Sequence, residues 1–196
     1  AELQHSTEIL HAVDGAQPSR HASMEVVFDH SWRLLTAVER DALSRLSVFR
    51  DGFAAEAART IAGVPLPVLG ALADKSLLRK DAVRIFIHPL VQQLAALRLG
   101  EGQTRAATER AHAHYYHRLL AQLRRTIEIG DRDALRQVDV DLENCRVAWR
   151  WAITHEAPLL LAQSALSLVY YFEYRGRFDE GVALVVEVDP SRIERR

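Results

Sequence analysis

Apolar residues recur at helical spacing along most of the chain, and one short alternating stretch interrupts that period. Glu2 to Val13 reads as a helix with Leu3, Thr7, Leu10 and Val13 near one face. Asp14 to Ser19 is turn-rich, and Ser23 is placed to cap a helix from Met24 to Leu35. On that helix Val27, Phe28, Ser31, Trp32 and Leu35 share a side. Thr36-Ala37-Val38-Glu39 fits the S/T-x-x-E capping box, in which each end satisfies a free amide of the other. The helix it opens carries Val38, Ala42, Leu43 and Leu46 on one face and ends at Arg50-Asp51-Gly52. Two short helices follow. One runs from Ala54 to Ala62 and is closed by Gly63; the other runs from Pro65 to Asp74, with Leu66, Leu69 and Leu72 inward.

The interruption is LLRKDAVRIFIHPLVQQL, Leu77 to Leu94. Leu77 to Arg79 is one short run, Lys80-Asp81-Ala82 a polar break, and Arg84 to Ile87 a second run. Pro89 suits the first position of a new helix, because the N–H it lacks would be unpaired there. That helix reaches Leu99 and leaves through Gly100-Glu101-Gly102. The remainder is entirely helical by pattern: Gln103 to about Ile129, Asp133 to Glu156, Leu159 to Arg175 and Phe178 to Val188. Leu135, Val138, Leu142, Cys145, Trp149 and Ala152 form a stripe at alternating steps of three and four. Tyr116, Leu120, Leu123 and Ile127 form another. Three helices, a hairpin and a further helix are the order of a winged helix.

Composition narrows the classes. Of 196 residues 48% are hydrophobic, which suffices for a core and argues against disorder. A formal net charge of -1 gives no global attraction to nucleic acid or to an anionic membrane. Cys145 is the single cysteine, so no internal disulfide forms, which fits a reducing, cytoplasmic setting. The apolar run from Pro158 to Phe172 is broken by Gln163 and Ser164 and is too short to span a bilayer. There is no signal-peptide pattern; with Ala1 at the start and IERR at the end, the chain reads as part of a longer protein.

Candidate chemistry is sparse. The recognition-helix position, Pro65 to Asp74, has no Arg, Lys, Asn or Gln for reading base edges. Arg79, Lys80 and Arg84 would reach phosphates or, more plainly, decorate a solvated turn. Of His112, His114 and His117, only the last two are neighbours on a helix, and a partly exposed face accounts for all three. Asp139, Asp141 and Glu143 do not converge on one face, so paired-carboxylate catalysis is not expected. Cys145 reads as a small core residue, and Tyr170, Tyr171, Phe172 and Tyr174 as packing or a ligand groove. No P-loop, nucleophile elbow or Ser-His-Asp set occurs, so the chain is not expected to be an enzyme.

Several segments together resemble a known family. HASMEVVFDHSWRLL, ERDALSRLSVFRDGFAAEAARTIAG, LGALADKSLLRK and FIHPLVQQLAALRL are similar to the region after the nucleotide-binding core of STAND-class (NB-ARC-like) signalling ATPases of the bacterial multidomain transcriptional regulator type. DLENCRVAWRWAI and YRGRFDEGVALV look like the start of the helical repeats in such proteins, and Tyr-x-x-Gly-x-Phe-x-Glu-Gly is similar to the turn of a tetratricopeptide-type (TPR) helix pair.

The resemblance implies a mainly α fold: 1–23 ends an upstream helical subdomain and linker, 24–100 is a winged-helix domain with a small β-hairpin, and 101–196 is an α-helical TPR-like repeat region. It implies ATP or ADP bound by the parent protein and no cofactor in this chain. It also implies an upstream nucleotide-binding domain as intramolecular partner, and a protein or small-molecule effector on the repeats. Direct DNA contact and membrane contact are not expected. The family's wing ends in a Met-His-Asp-like tripeptide whose histidine touches ADP phosphates; here the tripeptide is Ile87-His88-Pro89, with proline in place of the acid. His88 is then either a phosphate contact that latches the closed state, or a residue satisfied by local backbone at a strand-to-helix corner. The alternative for the whole chain is a DNA-binding winged-helix transcription factor with a helical dimerisation region.

Overall fold

The structure, a computed structural model, describes residues 28–187. The expected helix from Glu2 to Val13 and the Ser23 cap lie outside the described residues. The architecture is mainly α-helical with one small antiparallel hairpin. Residues 28–33 are helical. They lead into α1 (Ala37–Leu46), α2 (Ala55–Ala62), α3 (Leu66–Asp74), β1 (Leu78–Lys80), β2 (Ile85–Ile87) and α4 (Pro89–Leu99). The second half is α5 (Gln103–Glu128), α6 (Arg132–Thr154), α7 (Pro158–Tyr174) and α8 (Phe178–Val186).

Local chemistry sets the element ends. At α1 the Thr36 hydroxyl accepts from the Glu39 N–H at 3.2 Å, and the Glu39 carboxylate accepts from the Thr36 N–H at 2.7 Å, completing the expected capping box. The same carboxylate takes both oxygens to Lys75 Nζ, at 2.6 and 2.7 Å, tying α1 to the end of α3. Lys75, then the cap amide, hold the Glu39 carboxyl below its ordinary range. Gly63 closes α2 in the left-handed region. Asp131 caps α6 by accepting from the N–H groups of Asp133 and Ala134.

In the hairpin Leu78 faces Ile87, Arg79 faces Phe86 and Lys80 faces Ile85. Asp81 makes the turn, accepting from the N–H groups of Val83 and Arg84 at 3.0 and 2.7 Å. Phe53 adds an isolated antiparallel bridge to β2, exchanging two 2.9 Å backbone hydrogen bonds with Ile85.

The halves share one core. α1 packs on α3 and α4, α5 packs on α6 and α7, α8 lies on α7, and α2 bridges to α5. Phe49 and Phe53 stack at 4.2 Å in the loop after α1, and His112 of α5 meets Phe49 edge-on at 5.6 Å. Every member of the Leu135-to-Ala152 stripe is buried, Cys145 included. Two expected core residues point out: Val38 is 64% exposed and Leu66 60% exposed. Each lies in the first turn of its helix, outside the packed face. Among the described residues no helix is long and apolar enough to cross a membrane.

Candidate functional site

His88 sits at the junction of β2 and α4, as its spacing predicts. It is exposed and is the N-cap of α4, with Pro89 following at the first helical position. Its Nδ1 accepts from the Leu90 N–H at 3.3 Å. The neutral ring that makes this bond carries its proton on Nε2. The local-backbone role is therefore occupied by one nitrogen, and among the described residues the other has no hydrogen-bond partner.

A second constellation lies behind the hairpin, at its seam with α6. Arg84 is not a solvated turn residue. Its Nη2 lies 2.7 Å from the Gly52 carbonyl oxygen, 2.8 Å from that of Val140 and 2.9 Å from Asp141 Oδ1. The reason is its place just before β2, where the Phe53 bridge brings the 50–53 loop and α6 alongside. Burial pushes the Asp141 carboxyl above its ordinary range, and the Arg84 guanidinium opposes that push. Arg79 and Lys80 remain exposed, with the Arg79 guanidinium 4.4 Å from the centre of the Phe86 ring.

One turn further along α6, Asn144 holds the same loop by its backbone. Its Oδ1 accepts from the Arg50 N–H at 2.7 Å, and its Nδ2 donates to the carbonyls of Arg50 and Gly52 at 2.8 and 3.0 Å. An N–H partner on Oδ1 fixes which way the amide points. His112 Nε2, 3.2 Å from the same oxygen, is then the protonated nitrogen of a neutral ring.

The three histidines do not form a partly exposed face. His112 and His117 are buried, and His114 is exposed. His117 Nε2 donates to the Ala148 carbonyl at 3.2 Å, and the Ser164 hydroxyl lies 2.7 Å from its Nδ1. Burial lowers both buried rings to about 4, with Arg50 adding to the effect at His112 and His114 at His117. The step of five sets His112 and His117 about 140° apart around α5, and α6 meets both, at Asn144 and at Ala148, with Ser164 of α7 beside His117. Among the described residues no group of His, Cys, Asp and Glu could hold a metal ion.

The three acids have separate partners: Asp139 binds the Tyr171 hydroxyl and Arg175, Asp141 binds Arg84, and Glu143 binds Arg146. Cys145 is buried within the apolar stripe of α6, and burial pushes its thiol up. Tyr171 and Phe172 are core residues, whereas Tyr174 is half exposed and donates to the Glu128 carbonyl. Gly181 packs against Phe172, where an added Cβ would stand 3.0 Å from the Phe172 Cβ.

Compared with models of known families, with curated proteins and with solved structures, the chain finds no match.

Proposed function

We propose that this chain is a regulatory and interaction module of a STAND-type ATP-dependent transcriptional regulator. Residues 37–87 follow the winged-helix order, with Phe53 in the place of the first strand. From α5 onward the chain is a TPR-like helical array. The winged helix restrains a nucleotide-binding core elsewhere in the longer protein, and the array answers to a protein or small-molecule effector. Switching is a population shift between a closed ADP state and an open ATP state.

The observation that carries this reading is the inward turn of Arg84 onto Asp141. A wing that reads DNA needs its cations outward. Here Arg84 is taken up by a bond to the array while Arg79 and Lys80 stay outward, and α3 offers no Arg, Lys, Asn or Gln for base readout. Support for the array comes from Gly181 against Phe172 and from the exposed apolar face of Val169, Phe178, Val182 and Val186. Stacked repeats present such a face to the next helix pair or to a partner. His88, with Nδ1 turned to its own helix and Nε2 outward, is the residue that would contact an ADP phosphate.

The test is a binding measurement between this chain and the nucleotide-binding domain of the same protein. Tighter binding to the ADP-loaded than to the ATP-loaded domain is expected. Equal binding, or tight sequence-specific duplex binding by this chain in a gel shift, favours the DNA-binding reading instead.

A further inference from the structure

Between the loop after α1, the end of α4 and the facing sides of α5 and α6 lies a cavity of about 280 Å³. Val48, Leu99 and Val147 give it an apolar wall, and the ring of His112 lines it from α5. His112 is only 2% exposed. Its ring is fixed by three contacts. Phe49 meets it edge-on at 5.6 Å, the Tyr116 ring lies 4.7 Å away between centroids, and Nε2 donates to Asn144 Oδ1 at 3.2 Å.

That last bond leaves Nδ1 as a bare acceptor. The Arg50 N–H, which Asn144 Oδ1 accepts at 2.7 Å, fixes the direction of the amide, so Nε2 and not Nδ1 carries the ring proton. Burial, with the Arg50 charge adding to it, keeps the ring neutral at neutral pH. Among the described residues Nδ1 has no hydrogen-bond partner. The Tyr116 hydroxyl and the Trp151 indole nitrogen also lack one, but those two are sealed from solvent. Nδ1 is not among the sealed atoms, and its ring edge opens on the cavity that His112 lines. Acceptors on residues this deeply buried are ordinarily paired.

Charge selects the kind of donor. Arg50, Arg105 and Arg150 line the cavity against the one carboxylate of Glu109, which Arg105 already binds at 3.0 Å. That surplus disfavours a cation, and a lone pair cannot accept from an anionic oxygen. We propose that the cavity binds a small neutral aromatic molecule of the phenol class, whose O–H or N–H donates to His112 Nδ1 while its ring rests on Val48, Leu99 and Val147. The walls come from both halves of the chain, so an occupant ties the loop after α1 to α5 and α6. The site does not depend on the nucleotide-linked reading, because every lining residue belongs to this chain.

The experiment follows the imidazole nitrogens of the ¹⁵N-labelled chain during titration with phenol, with anisole, which keeps the ring and lacks the donor, and with benzoate. The chain has 9 histidines, and His112→Gln assigns the relevant signals. The expected result is an unprotonated Nδ1 signal that shifts saturably with phenol, with a Kd of about 1 mM or lower. Anisole should bind about tenfold more weakly, the size of one hydrogen bond. Ala96→Leu narrows the cavity on the wall formed by α4. It should weaken phenol binding about tenfold while the His112 signals of the free chain stay in place, a sign that the fold is intact. No saturable shift with phenol, anisole binding as tightly as phenol because water alone meets Nδ1, benzoate binding more tightly than phenol, or unchanged binding in Ala96→Leu would each overturn the proposal.

Discussion

Arg84, at the foot of the hairpin, and Asp141, in the middle of α6, form an ion pair at 2.9 Å across 57 residues of sequence, with side chains 13% and 10% exposed. The pair is the electrostatic joint between the two halves. Removing one partner of a buried pair leaves the other charge uncompensated, at a cost of about 3 kcal/mol. Replacing both by apolar residues costs much less. Asp141→Ala should therefore lower the unfolding free energy in urea by about 3 kcal/mol. Arg84→Met with Asp141→Leu should recover most of that loss.

Asn144 should be nearly as sensitive, for a different reason. Its amide satisfies one N–H and two carbonyls of the 50–52 loop. Asn144→Ala strands backbone groups that regular structure does not pair, and an expected loss of about 2–3 kcal/mol follows. Asn144→Asp retains the acceptor and loses the donor, so hydrogen exchange at Arg50 should stay slower in that variant than in the alanine one.

Acid should weaken the fold through α5. The rings of His112 and His117 are depressed from 6.5 to about 4. A depressed folded pKa contributes stability that is fully present above the unfolded value and is lost as pH falls through the folded one. Stability should thus decline from about pH 6.5 to about pH 4, by roughly 3 kcal/mol per ring once both states are protonated. Urea unfolding across that range checks the sign. His117→Gln keeps polar contacts without titrating, so its curve should be flatter than that of the native chain.

Two glycines separate strain from crowding. Gly52 has φ +98°, and an added Cβ would stand 2.7 Å from the Phe86 ring and 3.0 Å from the Ile85 carbonyl oxygen. Gly63 has φ +66° with nothing within 4 Å of that position. Gly63→Ala should cost about 1 kcal/mol from backbone conformation alone. Gly52→Ala should cost about 2–3 kcal/mol because the Phe86 ring and the Phe53–Ile85 bridge must also shift. Thermal unfolding of the two variants side by side tests the difference.

The helices were legible because their signals are local. The Leu135-to-Ala152 stripe, the Thr36–Glu39 box and Pro89 after the second strand each announce themselves within a few residues, and each is in place. The polar seam was not legible because its partners are distant. Arg84 looked like a turn cation until Asp141 stood opposite it. His112 and His117 looked surface-bound because Asn144 lies 32 residues from the first and Ser164 47 from the second. Asp141, Asn144 and Ala148 also widen the buried face of α6 beyond the apolar stripe. That Asp141 and Asn144 border this stripe was the available signal.

The central claim is the proposed nucleotide contact of His88, whose Nδ1 is held by the Leu90 N–H. The direct measurement is the rate of release of a fluorescent ADP analogue from the proposed parent ATPase, native against His88→Ala. The account predicts release about tenfold faster in the variant, one charge-assisted contact's worth. Its melting temperature should change little, because the cap lost is exposed and long. Unchanged ADP release from a folded His88→Ala protein would contradict it.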